Sequence, residues 1–370
     1  MEEGVASGVF PGAVLLVHHR RRIVFHEACG SASISPDPVP MSIETLFDLA
    51  SLTKPLATAA AIAFLIQEKV LALEDPVSKF IPEFLTGAKR EATLFHLLNH
   101  SSGLPDWKPY YQEIIRLAEK EPGYLGSSSA KTRVYKMAHD EPLISFPGEK
   151  SLYSDIGFIL LGEIVEKTGG EPLHRFCYRH IFSKLKTRET FFIPLGRTPR
   201  PFRGRTFAAT EACPWRGEIV RGAVHDDNAY AMGGVAGHAG LFSTAREVYL
   251  LVRLWLDSVE GAGRFDPALA SLFVTKRKGK GVPPSSSWGL GWDTPSRYSS
   301  SSGRFFSSLT FGHLGFTGTS IWVDRKRDLG VILLTNRVHP SRENQRIKLF
   351  RPELHDLIFQ EVALDASADH

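Results

Sequence analysis

A serine and a lysine stand three residues apart in the segment 49–55, which reads Leu-Ala-Ser-Leu-Thr-Lys-Pro. If this segment is helical, Ser51 and Lys54 lie one turn apart on the same face, and the lysine amine can reach the serine hydroxyl. A serine beside a base is the usual arrangement for nucleophilic catalysis. The spacing therefore indicates a nucleophile whose base comes from its own helix.

The surrounding residues indicate that this pair lies at the start of a buried helix. Pro55 has no N–H and a φ suited to a first helical turn, so the helix should begin within a few residues before it. The run 57–66 is apolar on every face, which is typical of a helix inside a domain. At a helix start, Ser51 lies near free backbone N–H groups that can stabilise an oxyanion. The Ser-x-x-Lys spacing also occurs by chance, so other segments must support this interpretation.

Two pairs of apolar runs predict the sheet that would support this helix. The N-terminal runs 12–17 and 23–28 flank a short polar turn and predict an antiparallel hairpin. Near the C-terminus, strands around 311–324 and 330–336 are joined by a short charged turn. We expect these strands to share one antiparallel sheet, with a final helix over 341–362 packed on it.

Two further stretches carry polar side chains that could face a site. Tyr153 and Asp155 lie on a turn before a helix predicted over 156–168. The segment 224–244 combines glycines with many hydrogen-bonding or ionisable side chains. Because glycine lets two backbones approach closely, this segment is a candidate pocket wall. The stretch 191–225 is rich in Pro, Gly and Arg and predicts an insertion with little regular structure.

The histidines raise the question of a metal. His225, Asp226 and His238 have the right side-chain types for a metal site, but the sequence does not provide a third ligand at the spacing that is usual for such sites. We therefore favour hydrogen bonds within the candidate wall as their role. His96 and His100, four residues apart in a helix predicted over 91–100, also resemble a metal-binding pair, and their helix is more consistent with support of the site.

Composition limits the class of protein. The chain has 370 residues, 43% of them hydrophobic, and a net charge of +4 from scattered basic residues, whereas a nucleic-acid surface needs a denser basic stripe. Its three cysteines, Cys29, Cys177 and Cys213, show neither disulfide-scaffold nor zinc-ribbon spacing. The N-terminus lacks the features of a secretion signal, and no run approaches the roughly 18 apolar residues of a membrane span. We expect a cytoplasmic protein, or a periplasmic or secreted one if a leader has been removed.

Three short motifs give the chain a family resemblance. Ser51-Leu-Thr-Lys54, Tyr153-Ser-Asp155 and His313-Leu-Gly315 come in the order and at the rough separations of the three motifs of the β-lactamase and penicillin-binding serine hydrolases. The chain resembles in particular the class C β-lactamase branch, which includes D,D-carboxypeptidases, muramoyl amidases and family VIII esterases. Further blocks look like that branch and extend the resemblance over nearly the whole chain: residues 99–105, 237–243 and 315–319.

The resemblance implies a fold and a division of the chain. The fold would be α/β (α+β) and β-lactamase/transpeptidase-like, with an antiparallel sheet flanked by helices and an inserted mainly helical domain. Residues 1–370 would form a single catalytic unit. The sheet part would cover about 1–50 and 245–370, the mainly helical part about 51–244, and the site would lie between them.

The resemblance also implies roles for individual residues. Ser51 would be the acylated nucleophile, Lys54 its proton acceptor, and Tyr153 the group that passes the proton to the leaving group. An amine and a phenol act as bases at neutral pH only if their pKa values fall, and we expect Lys54 and Tyr153 to lower each other's pKa. The backbone N–H groups of Ser51 and Phe316 would bind the oxyanion. Gly315, Phe316 and His238 are thus the candidate substrate or oxyanion contacts.

Two departures from the β-lactamase motifs bear on the substrate. His313-Leu-Gly315 stands where β-lactamases have Lys-Thr-Gly, so a fixed positive charge and a hydroxyl that would bind a substrate carboxylate are both lost. Related esterases and amidases also have His at that position. Asp155 stands where β-lactamases have Asn, and an ionised carboxylate only accepts hydrogen bonds. Asp155 could instead hold Lys54 charged, orient it, or receive a substrate N–H.

The favoured interpretation is a serine hydrolase without metal or cofactor that forms an acyl-enzyme on Ser51. Its substrate would be an amide in peptidoglycan-derived fragments, such as a D-alanyl peptide or the muramoyl to L-alanine bond. The alternatives are a carboxylesterase or weak β-lactamase of the same fold, and a penicillin-binding sensor that is acylated without turnover. We expect a small-molecule or muropeptide substrate, no nucleic acid and no membrane span. The oligomeric state, the acyl and leaving groups, and the roles of His225 and Asp226 stay open.

Overall fold

The computed structural model describes residues 1–196, 204–279, 281–296 and 299–368. Its strands are short outside one central sheet. In chain order they are β1 (Gly12–His19), β2 (Arg22–Ser33), β3 (Val39–Pro40), β4 (Phe47–Asp48), β5 (Phe191–Phe192), β6 (Ala212–Cys213), β7 (Glu218–Ile219), β8 (Leu241–Ser243), β9 (Thr310–Leu314), β10 (Ser320–Asp324) and β11 (Leu329–Thr335).

The central sheet joins the two ends of the chain, as the apolar runs predict. Its six strands follow the order β3-β2-β1-β11-β10-β9, and all neighbours are antiparallel. The register of β1 on β11 runs from Ala13 opposite Thr335 to His19 opposite Leu329. The predicted N-terminal hairpin is β1–β2. A second sheet, β4-β8-β5, brings residue 48 next to residue 242.

Eleven α-helices are assigned in the described residues, and the longest of them pack on the central sheet or on each other. They are α1 (Glu2–Ala6), α2 (Ala60–Gln67), α3 (Leu94–Leu98), α4 (Tyr110–Ala118), α5 (Ser128–Asp140), α6 (Asp155–Gly169), α7 (Leu173–Cys177), α8 (Asp227–Ala231), α9 (Ala245–Val259), α10 (Pro267–Val274) and α11 (Ile347–Ala368). Shorter 3₁₀ or π turns are Ala50–Leu52, Lys54–Ala59, Val77–Lys79, Pro82–Leu85, Gly87–Glu91, Tyr178–Phe182 and Ser183–Leu185.

Both faces of the inner strands β1, β11 and β10 are buried, which explains why these strands are apolar runs and not alternating patterns, whereas β2 is largely exposed. Leu15 and Val331 point into a small core shared with α11. Leu16 and Ile332 point into the main core, which α9 and the helical part of the chain complete. The predicted packing of the final helix on the sheet is therefore confirmed, although α11 begins six residues later than predicted.

The segment Ala50–Gln67, named here the Ser51 helix, is continuous but not uniform. It begins with a 3₁₀ turn, passes through a π segment that contains Pro55, and ends as α2. Its 18 residues have a mean hydropathy of 1.3, so by length and composition it could cross a membrane, contrary to the sequence-based expectation. Since 78% of the segment is buried in the structure, it has the features of a core helix.

Other boundaries differ from the sequence-based predictions in instructive ways. The helix predicted over 91–100 shortens to α3, and its later start at Leu94 follows from the Thr93 side chain, which caps the N-terminus by accepting from the backbone N–H of His96. The predicted helix over 156–168 is α6, which ends with Gly170 in the left-handed conformation. The irregular stretch 191–225 contains only the two-residue strands β5, β6 and β7; residues 197–203 within it lie outside the described part. The division near residues 50 and 245 stays a prediction.

Candidate active site

Ser51 and Lys54 meet at the start of the Ser51 helix, as their spacing predicts. The Lys54 Nζ donates to the Ser51 Oγ at 2.9 Å and to the backbone carbonyl of His238 at 3.2 Å. Lys54 is completely buried, although it carries an ionisable amine. A buried amine needs a compensating partner, and its neighbours provide one.

Asp155 is that partner. Its Oδ1 lies 2.7 Å from the Lys54 Nζ. Burial alone would lower the pKa of Lys54, but the charge of Asp155, followed by the interactions with Tyr153, outweighs it, so the pKa is raised. The resting lysine is therefore an ammonium. This geometry agrees with the idea that Asp155, in place of Asn, holds Lys54 charged.

Tyr153 completes the cluster. Its ring lies under the Lys54 ammonium, with 4.8 Å from the Nζ to the ring centroid. Burial raises the pKa of its hydroxyl, while the charge of Lys54 and then hydrogen bonds with Lys54 and Ser51 act in the opposite direction without cancelling the rise. The hypothesis that Lys54 and Tyr153 lower each other's pKa thus holds in one direction only: Lys54 acts to lower the Tyr153 pKa, although burial outweighs it, whereas Tyr153 raises the Lys54 pKa. Because its pKa is raised, Tyr153 is a neutral phenol in the resting enzyme.

The Tyr153 ring is fixed by two aromatic neighbours. His100 lies 4.7 Å and Trp288 5.5 Å from it, centroid to centroid. The Nδ1 of His100 accepts from the backbone N–H of Ser154, and burial holds the His100 pKa well below its ordinary value. Asn99 donates to the carbonyls of residues 288 and 289 and so holds Trp288 in place. Residues 99–105 therefore position the tyrosine, and His96 bonds to Thr93 instead of facing His100.

The turn before the nucleophile is held by a buried carboxylate. Ala50 has a φ of +48°, a conformation that costs a residue with a Cβ on the order of 1–3 kcal/mol. Asp48 accepts from the Ala50 N–H at 2.8 Å and from the His225 N–H at 2.6 Å. Burial raises the Asp48 pKa, and these two hydrogen bonds oppose the rise. One side chain thus joins the nucleophile turn to the segment that leads into α8.

The candidate oxyanion site is formed where β9 ends at the edge of the central sheet. A Cβ on Gly315 would lie 2.7 Å from the Leu49 carbonyl oxygen, so only glycine allows this close approach. Thr317 and Thr319 donate to the carbonyls of Asp48 and Leu49. These contacts bring Phe316 to the cavity that also contains Ser51. In the described residues, the Phe316 N–H donates no hydrogen bond, so it remains available to an oxyanion.

His313 stands in this strand as a neutral imidazole. Its Nδ1 lies 2.8 Å from the Leu314 carbonyl oxygen, and because a carbonyl only accepts, the Nδ1 carries the proton. Burial and then the charge of Lys54 lower the His313 pKa to about 3. His313 therefore does not replace the fixed positive charge that a lysine would supply at this position.

The glycine-rich segment 233–244 packs against the Ser51 helix, as its glycines predict. Thr58 donates to the Gly237 carbonyl, and Thr53 accepts from the Leu241 N–H. A Cβ on Gly237 would lie 2.1 Å from the Phe158 carbonyl oxygen, so this segment could not approach α6 with a larger residue. The segment thereby holds the carbonyl of residue 238 against Lys54.

His238 itself does not face the cavity, which corrects its expected place as a substrate or oxyanion contact. Its side chain is buried behind the site, and its Nε2 lies 2.9 Å from the Asp226 Oδ1. Asp226 does line the cavity, and its pKa is lowered: burial opposes the shift, but the charge of His238 and further contacts outweigh it. Asp226, whose role the sequence left open, is therefore the member of this pair that a substrate could touch.

The side chains that could bind a metal form a different group from the one that the sequence suggests. His225 bonds to Glu211 and does not join the other two candidates. Asp155, Asp226 and His238 offer ligand atoms within 4.8 Å of one another. The Lys54 ammonium contacts Asp155 and the carbonyl of His238, so it already supplies positive charge at this cluster. The expectation of no metal and no cofactor stays a prediction.

A cavity of about 680 Å³ opens above these groups, and its two sides differ in charge. Asp155, Asp226 and Trp107 line the side formed by the helical part. The other side, formed by the sheet end and the C-terminal segment, carries several cations: Arg337, Arg342, Lys348 and Arg351. Arg342 is paired with Glu211 and Asp227. Across the described ranges, no carboxylate lies within ion-pair distance of the other three.

Several of these residues were not identified from the sequence. Trp107, Trp288, Asp48 and the C-terminal arginines carry no short-range signal, since their roles depend on which distant segments meet. Among them, only Asp48 had a signal in the sequence that could have indicated a role in the site, because it lies three residues before Ser51. The five predicted catalytic residues are brought together around one cavity: Ser51, Lys54, Tyr153, Asp155 and His313.

The chain is similar to known proteins over most of its length. The β-lactamase family model matches residues 1–353. The N-acetylmuramyl-L-alanine amidase of Bacillus subtilis (strain 168) is 34% identical over 370 residues, covering 92% of this chain and 80% of the relative. A protein of Escherichia coli (strain K12) named "Putative D-alanyl-D-alanine carboxypeptidase" is 32% identical over 356 residues, covering 89% and 79%. A class C β-lactamase from Rhodobacter sphaeroides has the same fold, with a TM-score of 0.68 at 20% identity, covering 96% and 97%.

Proposed function

Since this chain belongs to the β-lactamase family of hydrolases, we propose that it forms an acyl-enzyme on Ser51 and cleaves an amide bond in peptidoglycan-derived fragments. The observation that carries the proposal is the contact of the Ser51 Oγ with the Lys54 Nζ at 2.9 Å, beside Tyr153 and at the edge of the cavity. A hydroxyl in contact with a buried amine–phenol pair is arranged for nucleophilic attack.

The chemical steps follow from the positions of these groups. The Ser51 Oγ attacks the amide carbon, and the Lys54–Tyr153 pair accepts its proton. The backbone N–H groups of Ser51 and Phe316 stabilise the resulting oxyanion. Tyr153 then passes the proton to the amide nitrogen, the C–N bond breaks and the amine leaves. Water attacks the acyl-enzyme in the same way and releases the carboxylic acid and free Ser51.

The charge state of the pair determines when this chemistry can begin. Asp155 keeps a proton on Lys54 in the resting enzyme, and Tyr153 is a neutral phenol. The pair must lose one proton before it can accept the proton of Ser51. The rate should therefore rise with pH until the pair has lost that proton.

Two observations support a peptidoglycan fragment as the substrate. The two curated relatives described above are named for the muramoyl to L-alanine bond and the D-alanyl-D-alanine bond. One side of the cavity also carries cations that have no carboxylate partner in the part of the chain that the structure describes, and these suit a substrate with carboxylates. A β-lactam is less well suited, because neutral His313 and Leu314 replace the charge and hydroxyl that would hold its carboxylate.

The proposal is tested with a substrate panel and intact-mass spectrometry. Muramoyl-L-alanyl peptides, D-alanyl-D-alanyl peptides, p-nitrophenyl esters and nitrocefin are compared on the wild-type chain, before and after a fluorophosphonate is added. We expect hydrolysis of at least one cell-wall amide, inhibition by the fluorophosphonate and one adduct on Ser51. Ser51→Ala should reduce the rate by at least about a thousandfold, because it removes the nucleophile.

A matched control is Ser129→Ala, which changes an exposed serine on α5. It should retain both the adduct and the wild-type rate. Full activity of Ser51→Ala would refute the nucleophile assignment. Hydrolysis of esters alone would favour the esterase alternative, and a stable adduct of the ligand without turnover would favour the sensor.

A further inference from the structure

Trp107 lies at the mouth of the cavity with a large part of its indole in solvent. The side chain is 42% exposed and belongs to the cavity lining. No stacked aromatic ring or cation–π contact involves it within the described residues. An exposed indole gains free energy when a ligand covers it, since apolar surface is then removed from water. Trp107 lines the same cavity as Ser51, which makes it a candidate binding surface.

The backbone around Trp107 is fixed, so the indole is a prepared surface. The backbone N–H of Trp107 donates to the Asp106 carboxylate at 2.8 Å, and the backbone carbonyl of Asp106 accepts from the backbone N–H of Asp155 at 2.8 Å. On the other side, the Lys108 carbonyl accepts from the Asn228 side chain at 2.9 Å. A ligand that covers the ring therefore does not have to order this loop, and little of the binding free energy is lost.

Hydrogen-bond acceptors line the same side of the cavity. The known hydrogen bonds of Asp226, from the Ala229 N–H and from His238, both involve Oδ1. The other oxygen of Asp226, Oδ2, has no protein partner in the part of the chain that the structure describes. A carboxylate only accepts, so this side suits a ligand rich in N–H or O–H donors.

A pyranose ring has the required combination of surfaces. One face of the ring presents C–H groups that can cover an indole, and its hydroxyl and acetamido groups donate to carboxylates. The opposite side of the cavity carries Arg337, Lys348 and Arg351, which have no carboxylate partner among the described residues. Arg337 already donates to backbone carbonyls, so Lys348 and Arg351 are the cations that best suit the carboxylates of a peptide. A sugar on one side of the scissile bond and an acidic peptide on the other would match both sides.

We propose that Trp107 is the platform for the sugar ring of a muramoyl group, which makes the acyl side of the substrate a muramoyl unit and the leaving group a peptide. This inference rests on the proposed function and selects the muramoyl to L-alanine bond from its two amides. Trp107 is a specificity-determining residue in this arrangement, because it touches the sugar and not the reacting atoms.

The test compares two substrates with the same scissile bond. N-acetylmuramoyl-L-alanine carries the sugar, and 2-methoxypropanoyl-L-alanine keeps the acyl group without it. We expect Trp107→Ala to lower the ratio of their kcat/KM values by at least about fivefold, the order of one lost ring contact, mainly through the KM of the sugar substrate. Trp107→Phe should restore most of the ratio, since it returns an aromatic face.

The control variant is Tyr178→Ala, which removes an exposed aromatic ring outside the cavity lining. It should leave the ratio at the wild-type value. An unchanged ratio in Trp107→Ala would overturn the inference. An equal loss on both substrates would also overturn it, since it would indicate a structural role for Trp107.

A binding measurement separates this inference from the proposed function. Ser51→Ala protein is titrated with N-acetylmuramic acid alone, with and without the Trp107→Ala change. Binding that disappears with Trp107→Ala supports the platform even if the wild-type chain hydrolyses no amide. Hydrolysis of cell-wall amides with sugar binding that is insensitive to Trp107→Ala supports the function and refutes the platform.

Discussion

At the scale of single residues, the contact between Asp155 and Lys54 controls the pH dependence of the proposed reaction. The carboxylate raises the Lys54 pKa against the effect of burial. The amine must lose a proton before the pair can accept one from Ser51. The pH at which the rate rises therefore depends on the contact between Asp155 and Lys54.

Asp155→Asn is expected to move that rise to lower pH. Removal of the carboxylate removes the anion that stabilises the ammonium, so the Lys54 pKa falls and the active form appears earlier. The measurement is log kcat/KM against pH on the best amide substrate. Asp140→Asn changes an exposed acid outside the cavity and should leave the profile in place. A profile of Asp155→Asn that does not move, or moves to higher pH, would contradict this role.

The sequence predicted the catalytic pair because its geometry is local. Three residues on a helix fix the distance between Ser51 and Lys54 wherever the helix lies. The charge state of Lys54 was not predicted, since it depends on how closely Asp155 approaches from a different helix. His238 was misplaced for a similar reason: a histidine beside glycines can point either into a cavity or behind it.

At the scale of secondary-structure elements, Asp48 holds three segments around the nucleophile. Its carboxylate binds the Ala50 turn and the His225 backbone, and its own carbonyl accepts from Thr317 after β9. The strand β4 that carries it is only two residues long. Asp48 therefore makes alone the connections between segments that several residues of a longer strand would make together.

Asp48→Ala should lower both stability and rate. It leaves two buried N–H groups without an acceptor, which costs about 2–4 kcal/mol in the free energy of unfolding. Release of the Ala50 turn should also reduce kcat by roughly tenfold or more with a smaller change in KM, because the nucleophile loses its position. Denaturant unfolding and steady-state kinetics measure the two effects.

Asp48→Asn is the matched variant, since it keeps the shape and one acceptor but places an NH₂ group against a donor. We expect losses between those of the wild type and Asp48→Ala. A change below about 0.5 kcal/mol in both variants, with an unaltered kcat, would show that Asp48 does not hold this turn.

Element types were predictable where the pattern was long. The apolar runs of β1 and β11 and the capped helix α6 could be read from the sequence because many residues agree. Short elements were not, as α3 shows: its N-cap is Thr93, so the helix begins three residues later than the apolar pattern indicates. The placement of Trp107 and Trp288 required the loops between elements, where periodicity gives no information.

At the scale of the whole molecule, the cavity separates charge between its two sides. Carboxylates and Trp107 lie on the side of the helical part, whereas Arg337, Lys348 and Arg351 lie on the side of the sheet end and α11. Such an arrangement orients a substrate that is acidic at one end before it reaches the serine.

Salt should therefore weaken the use of acidic substrates selectively. The screening length falls from about 10 Å at 0.1 M to about 3 Å at 1 M salt. We expect kcat/KM for a muramoyl peptide with free carboxylates to fall several-fold over this range. The same peptide with its carboxylates amidated is the control and should respond weakly. Equal salt responses of the two peptides would contradict electrostatic steering by this side of the cavity.

The joining of the chain's two ends in one sheet was predictable, because only four long apolar strands were available to pair. The shape of the cavity was not predictable, since it depends on contacts between distant segments, as when Thr317 donates to the Asp48 carbonyl from 269 residues away in the chain. The family resemblance identified the three motifs, and the structure shows which residues surround them.

The burial of the Ser51 helix has a consequence for how this protein fails. Ser51 and Lys54 lie on the segment around which the main core is built, and 78% of that segment is buried. Such a segment opens to deuterium exchange only when most of the molecule opens. Heating should therefore not produce a population in which the protein is folded but Ser51 is displaced from the active site. Inactivation and loss of the native state should coincide as a single cooperative event.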